Sequence, residues 1–223
     1  MPRFLWSYDE SGWVALCFED IAGRHPAEPW TESDLTLVIA ALKRMALDLT
    51  PSPIDTEETA RGAFKRHING WQRARSRKEM RLDAWCAANL DRLCELEAEA
   101  PEAADGDTLL HFDIRADNLL IARDSVFVVD WPWARTGAAF VDWLAMAPSV
   151  AMQGGPPPES FFDRFDVSHI SPGAIDAVLC SLAGYFVVGA LAPPPPGLPT
   201  VRAFQAAQGV EALRWLRRRT ESD

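Results

Sequence analysis

Residues 109–133, LLHFDIRADNLLIARDSVFVVDWPW, constrain this chain more than any other stretch. They hold two short apolar runs, 119–121 and 126–129, rich in β-branched and aliphatic side chains and separated by a polar step at 122–125. That pattern predicts a tight β-hairpin. A hairpin folds back, so its two ends are neighbours. Asp113 and Asn118, five positions apart, lie on the loop that enters it, and Asp130 lies where it leaves. One amide oxygen then faces a carboxylate across a small gap, with a second carboxylate beside them.

Hard oxygen donors such as Asn118 and Asp130 suit Mg²⁺, which keeps waters and takes its remaining ligands from phosphates. Asp113 is left to meet a hydroxyl. A solvated loop with ordinary turn Asp and Asn residues is the plain alternative. It does not account for all three polar positions and the hairpin together.

His-x-Asp-x-x-x-x-Asn, an apolar hairpin and then Asp resemble the catalytic loop and metal-binding Asp of the protein-kinase-like fold. HFDIRADNLLI followed by VFVVDW resembles the aminoglycoside phosphotransferase family, whose fold choline kinases share. The resemblance implies an enzyme that uses ATP, or another nucleoside triphosphate, and Mg²⁺ to phosphorylate a small-molecule hydroxyl. By position, Asp113 would accept or orient the hydroxyl proton, and Asn118 and Asp130 would hold Mg²⁺. His111 would brace the loop, and Asp142 in FVDWLA would brace it from a helix. Arg115 matches the place where protein kinases carry a Lys near the transferred phosphate. Phe112 stands where the family usually has Gly, and Trp131-Pro132 replace the Phe-Gly of protein kinases.

The chain has 223 residues, enough for one or two domains with a sizeable core. Its net charge of −10 argues against a nucleic-acid partner and is compatible with a cationic substrate. Cys17, Cys86, Cys94 and Cys180 show no metal or C-x-x-C spacing. They read as reduced thiols of a cytoplasmic protein, and the N-terminus has no signal-peptide pattern. Residues 174–192 are long and apolar enough to span a bilayer, but they contain Asp176 and have no basic flank. The expectation is a buried core helix and no membrane.

Residues 3–8 and 13–18 read as two strands joined by a turn at 9–12. Residues 19–23 form a polar exit, which the resemblance makes the hinge between lobes. There the Glu19 carbonyl and Ile21 amide would meet the adenine edge. Helices are expected from Thr31 to about Leu49 and over 57–68, 82–98, 140–147, 174–191 and 201–219. The basic run at 73–81 reads as a solvated helix start rather than an anion site. The expected fold is α+β and protein-kinase-like. A two-strand remnant of the N-terminal lobe (1–23) precedes a mostly helical C-terminal lobe (24–223) that carries the catalytic hairpin.

The sequence contains no G-x-G-x-x-G, and Lys43, Lys65 and Lys78 all follow the hinge. The resemblance therefore implies a chain that starts after the third strand and helix of the small lobe, through a misplaced start site or genuine truncation. Turnover is then expected near background, because positioning and charge stabilisation carry most of phosphoryl transfer. The alternative is a catalytically inactive kinase-like protein that binds a cationic small ligand. Two-metal phosphoester hydrolysis ranks last, since the four His residues are scattered.

Overall fold

A computed structural model describes residues 1–77 and 79–221. It opens with the hairpin β1 (Phe4–Glu10) and β2 (Trp13–Phe18). Ser11 at φ 55° and Gly12 at φ 79° form its turn, the left-handed pair whose twist matches that of flanking strands. The strands pair from Glu10↔Trp13 to Phe4↔Phe18. Both faces are exposed, and Trp6, Trp13, Leu16 and Phe18 lie among the open side chains.

The segment after this hairpin is tied to the catalytic hairpin predicted above. Arg24 N–H donates to the Ile121 carbonyl at 3.0 Å, and Ile121 N–H returns to the Arg24 carbonyl at 2.7 Å. Gly23 fits because a Cβ there would sit 3.1 Å from the Ile121 oxygen. The Arg24 guanidinium then clamps Asp34 through two bonds of 2.8 and 2.7 Å, and the same carboxylate accepts from Ala27 N–H.

Asp34 belongs to α1 (Glu32–Asp48), which Thr31 caps by accepting from the Asp34 N–H. Leu35, Val38, Ile39 and Leu42 give it a buried stripe at helical spacing. Then come α2 (Ala60–Arg66), α3 (Gly70–Ser76), α4 (Ala84–Ala88) and α5 (Leu90–Ala103). The helix expected over 57–68 begins only at Ala60 because Thr59 caps it. The one expected over 82–98 is divided at Asn89.

The basic run differs from expectation. Arg73 and Arg75 close α3 instead of opening a helix, and Lys78 lies outside the described residues. Cations favour that end of the helix dipole. The N-terminus of α3 is held by the buried Glu97, whose carboxylate accepts from Trp71 and Gln72 N–H at 3.0 and 2.8 Å. Burial pushes the Glu97 carboxyl up to about 7.

Six short elements frame the site: β3 (Thr108–Leu110), a 3-10 turn (Ala116–Asn118), β4 (Leu119–Ala122), β5 (Ser125–Val128), β6 (Arg135–Gly137) and α6 (Phe140–Met152). β4 and β5 pair antiparallel around Arg123-Asp124. The pairing of β3 with β6 was not foreseen, because three-residue strands are too short to show a period. The chain ends with α7 (Pro158–Phe162), α8 (Pro172–Ala190) and α9 (Val201–Thr220).

Among the described residues α8 is the one helix long and apolar enough to cross a membrane. Here it is a core helix, with Ile175, Val178, Leu179 and Leu182 buried. Trp71 donates its indole N–H to the Cys180 carbonyl at 2.8 Å. A Cβ on Gly70 would fall 2.0 Å from the Gly184 carbonyl oxygen, so α3 and α8 meet backbone to backbone. Asp176, its one acidic residue, is paired with Arg219 of α9.

Candidate active site

The loop between β3 and the 3-10 turn is held from below by Asp142, one turn into α6. Its carboxylate accepts from the His111 and Phe112 N–H groups, both at 2.8 Å. Asp142 is buried, and burial pushes its carboxyl up to about 6 against the two amide bonds. His111 is wholly buried and bonded at both ring nitrogens, Nε2 to the Val129 carbonyl at 2.9 Å and Nδ1 to Asp113 N–H at 3.3 Å. A carbonyl only accepts and an amide only donates, so Nε2 carries the proton. Burial lowers the imidazole's affinity for a second one. His111 thereby links the catalytic loop to the strand exit just before Asp130, and its ring meets Trp131 edge-on at 4.7 Å.

Asn118 closes the loop from the other side. Its amide Nδ2 donates to the Asp113 carbonyl at 2.8 Å, which leaves the side-chain oxygen as a free acceptor. Its own carbonyl accepts from Val129 N–H at 3.0 Å. The two ends of the hairpin are therefore one hydrogen bond apart, and Asp130 follows directly. Asp130 is exposed and left-handed at φ 66°, a conformation that a short polar side chain tolerates.

Asp113 is half-buried, and burial raises its carboxyl pKa. Arg115 opposes that rise, while Asp117 and Asp130 add to it, so the three carboxylates share one field. The Arg115 guanidinium stands 3.5 Å from Asp113 and holds Asp117 through bonds of 3.1 and 2.9 Å. It is a cation already engaged by carboxylates, lying 5.4 Å over the Phe204 ring.

Phe112 explains its own departure from Gly. Its φ is 68°, the left-handed region that a bulky residue avoids. The ring compensates by packing edge-on against Phe64 at 6.0 Å and under the Arg135 guanidinium at 4.2 Å. We expect Phe112→Gly to be more stable than Phe112→Ala by about 1 kcal/mol, since both lose the ring and only Gly escapes the strain. Urea denaturation of the two variants reads the difference; an alanine variant equal to or above the glycine would refute the strain.

Beside the loop opens a cavity of about 620 Å³. Phe112, Asp113 and Arg115 form one wall, Glu58 and Arg135 a second, and α8 and α9 the rest. Phe204, Gln205, Gln208 and Trp133 line it and were not singled out from sequence. Nothing in a glutamine at i and i+3 of a polar helix marks it as facing a pocket.

Glu19 and Ile21 lie half-buried at the exit of β2. Glu19 N–H is bonded to the Arg3 carbonyl, and the Ile21 carbonyl to Gly23 N–H. The Glu19 carbonyl and the Ile21 amide have no hydrogen-bond partner among the described residues.

Among the described residues no group of three or more His, Cys, Asp or Glu side chains could hold a metal. Asn118 and Asp130 supply two hard oxygen donors at the two hydrogen-bonded ends of the hairpin. That is the sparse set a phosphate-bound Mg²⁺ takes, so the donors fit that ion.

Residues 1–166 match the phosphotransferase enzyme family, and the chain belongs to that family. No curated protein matches the sequence. Solved structures share the protein-kinase-like fold. A choline/ethanolamine kinase family protein from Mesorhizobium loti is 16% identical with a TM-score of 0.61, covering 97% of this chain and 74% of that one. An aminoglycoside phosphotransferase from Alicyclobacillus acidocaldarius is 18% identical with a TM-score of 0.57, covering 100% and 78%. LicA in complex with AMP is 12% identical with a TM-score of 0.51, covering 99% and 73%.

Proposed function

We propose that this chain is an ATP-dependent phosphotransferase whose acceptor is the hydroxyl of a small molecule. The observation that carries this reading is the position of Asp113. It lines the 620 Å³ cavity, on a loop fixed by Asp142 and Asn118, within the electrostatic reach of Asp130. Family membership and the AMP bound to LicA support a nucleotide co-substrate. The free Glu19 carbonyl and Ile21 amide have the acceptor and donor character that an adenine edge needs. Four unpaired cysteines, three of them buried, agree with a cytoplasmic setting.

Asn118 and Asp130 would hold Mg²⁺, which when bound neutralises charge on the phosphates. Asp113 orients the acceptor hydroxyl and takes its proton as the oxygen–phosphorus bond forms and the bond to the departing nucleoside diphosphate breaks. The raised pKa of Asp113 brings it closer to the working pH of a general base. Arg115, tied to Asp113 and Asp117, fixes the Asp113 carboxylate and adds positive charge on the cavity side.

Mn²⁺ binding tests the metal pair directly, without any turnover. In the presence of ATP the free Mn²⁺ signal in electron paramagnetic resonance should fall on adding the protein. Asp130→Asn should weaken that binding by about 10-fold or more, the loss of one charged ligand. Equal binding by wild type and variant would remove Asp130 from the site.

A further inference from the structure

The chemistry of the cavity wall bears on which alcohol it accepts, an inference that rests on the phosphotransferase reading above. We propose that the acceptor is an uncharged alcohol with an aromatic or other flat apolar body and a further carbonyl, amide or hydroxyl group, and not a polycation or a quaternary ammonium.

Charge is the first ground. The cavity's two carboxylates, Glu58 and Asp113, face two guanidiniums, Arg115 and Arg135. Glu58 is fully engaged: it pairs with Arg66, with Arg135 at 2.9 Å and with His67 at 3.5 Å. Asp113 has one side-chain contact, with Arg115, and is the group assigned to the acceptor hydroxyl. Among the described residues no other carboxylate on the wall is left for ammonium groups, although the whole chain carries −10. The net charge of a chain says little about one pocket within it.

The aromatic rings are the second ground. A cage for a quaternary ammonium needs open π faces. Here the Phe112 ring already carries the Arg135 guanidinium at 4.2 Å, and the Phe204 ring carries Arg115 at 5.4 Å. Two of the cavity's rings are thus taken, and at the others a ligand cation would still meet the repulsion of both guanidiniums. Trp133, Tyr185 and Phe186 complete an apolar lining suited to a flat uncharged body.

The third ground is an unpartnered amide. Gln208 lines the cavity, is only 3% exposed as a residue and makes no hydrogen bond among the described residues. Its amide atoms are not sealed from solvent, and what access they have is open to a ligand. Gln205, one turn earlier, has its oxygen bound by Arg202 at 2.7 Å and its amide nitrogen without a partner. Two neutral amides at i and i+3 on α9 thus present donors and one open acceptor to the cavity. Such groups read carbonyl, amide and hydroxyl functions without regard to charge.

Titration calorimetry without nucleotide tests this on the whole chain. The probes are chloramphenicol (a neutral aryl diol with an amide), phenyl β-D-glucoside, kanamycin (a polycation) and choline. We expect at least one neutral probe to bind about 10-fold or more tightly than kanamycin or choline, with affinity unchanged between low and high salt. Gln208→Leu, whose shape is similar and whose folding is checked by its melting temperature, should weaken that binding by about 10-fold. Tighter, salt-sensitive binding of kanamycin or choline would overturn the proposal, as would no binding by any probe or binding indifferent to Gln208→Leu. The ranking of wild-type affinities stands even if the variant does not fold. A neutral probe that binds in this pattern while no alcohol is phosphorylated would retain the pocket's preference and sink the phosphotransferase reading instead.

Discussion

Asp113→Asn is expected to lower the rate of phosphoryl transfer by about 10²–10⁴, or to background where the wild-type rate is itself low, with acceptor binding changed little, because the carboxamide keeps the shape of the side chain and loses the ability to take a proton. The side chain is half-buried on the cavity wall and makes no bond that holds the fold together except its contact with Arg115. Melting temperature should therefore stay close to wild type while turnover collapses. Single-turnover kinetics with protein in excess, Mg²⁺ and ATP give the rate, and calorimetry gives acceptor binding. A parallel fall in melting temperature, or an equal rate, would make Asp113 a structural residue.

The second large effect belongs to Asp142. Asp142→Ala strands two buried N–H groups, those of His111 and Phe112, which the carboxylate binds at 2.8 Å. Each buried donor left unsatisfied costs about 1–3 kcal/mol. The carboxylate itself is expensive to bury, so the net loss should be about 2–4 kcal/mol, read by urea denaturation. The pH dependence has a definite sign. The carboxyl is pushed up to about 6 in the fold against 3.8 when exposed. Between those values the folded protein keeps a proton that the unfolded chain has released. This contribution to stability is complete below about pH 3.8 and lost as pH rises through about 6. Wild type should therefore lose stability relative to the non-titrating Asp142→Asn from about pH 4 to about pH 6, then run parallel to it. The opposite slope would mean that the two amide bonds outweigh burial.

What the sequence displayed was local chemistry. The spacing from Asp113 to Asn118, the two apolar runs of the hairpin and the Thr31 cap each act within a few residues, so they can be seen without tertiary information. α1 and α9 fall within a residue or two of their expected ends for that reason. The long-range parts were hidden. Arg24 pairs with Ile121, and Glu58 with Arg135, across gaps in the chain that no period reports. At the division of the helix expected over 82–98, the Asn89 backbone N–H and side-chain amide both donate to the Trp85 carbonyl, a local turn that a continuous apolar pattern masks. Phe112 was visible as a departure from Gly, yet only its φ of 68° and the Arg135 stack explain it. The cavity residues Gln205 and Gln208 became apparent only once α9 was placed against the loop.

The central claim is that a phosphoryl group passes from ATP to an alcohol at Asp113. ³¹P nuclear magnetic resonance tests it most directly, with Mg²⁺, ATP and the acceptor that binds the cavity. The protein is used in stoichiometric amount, so that even slow chemistry registers. The account predicts a phosphomonoester signal that grows in step with ADP and vanishes in Asp113→Asn. ADP accompanied only by inorganic phosphate would mark a hydrolase, and unchanged ATP beside a bound ligand would mark a binding protein; either result contradicts the account.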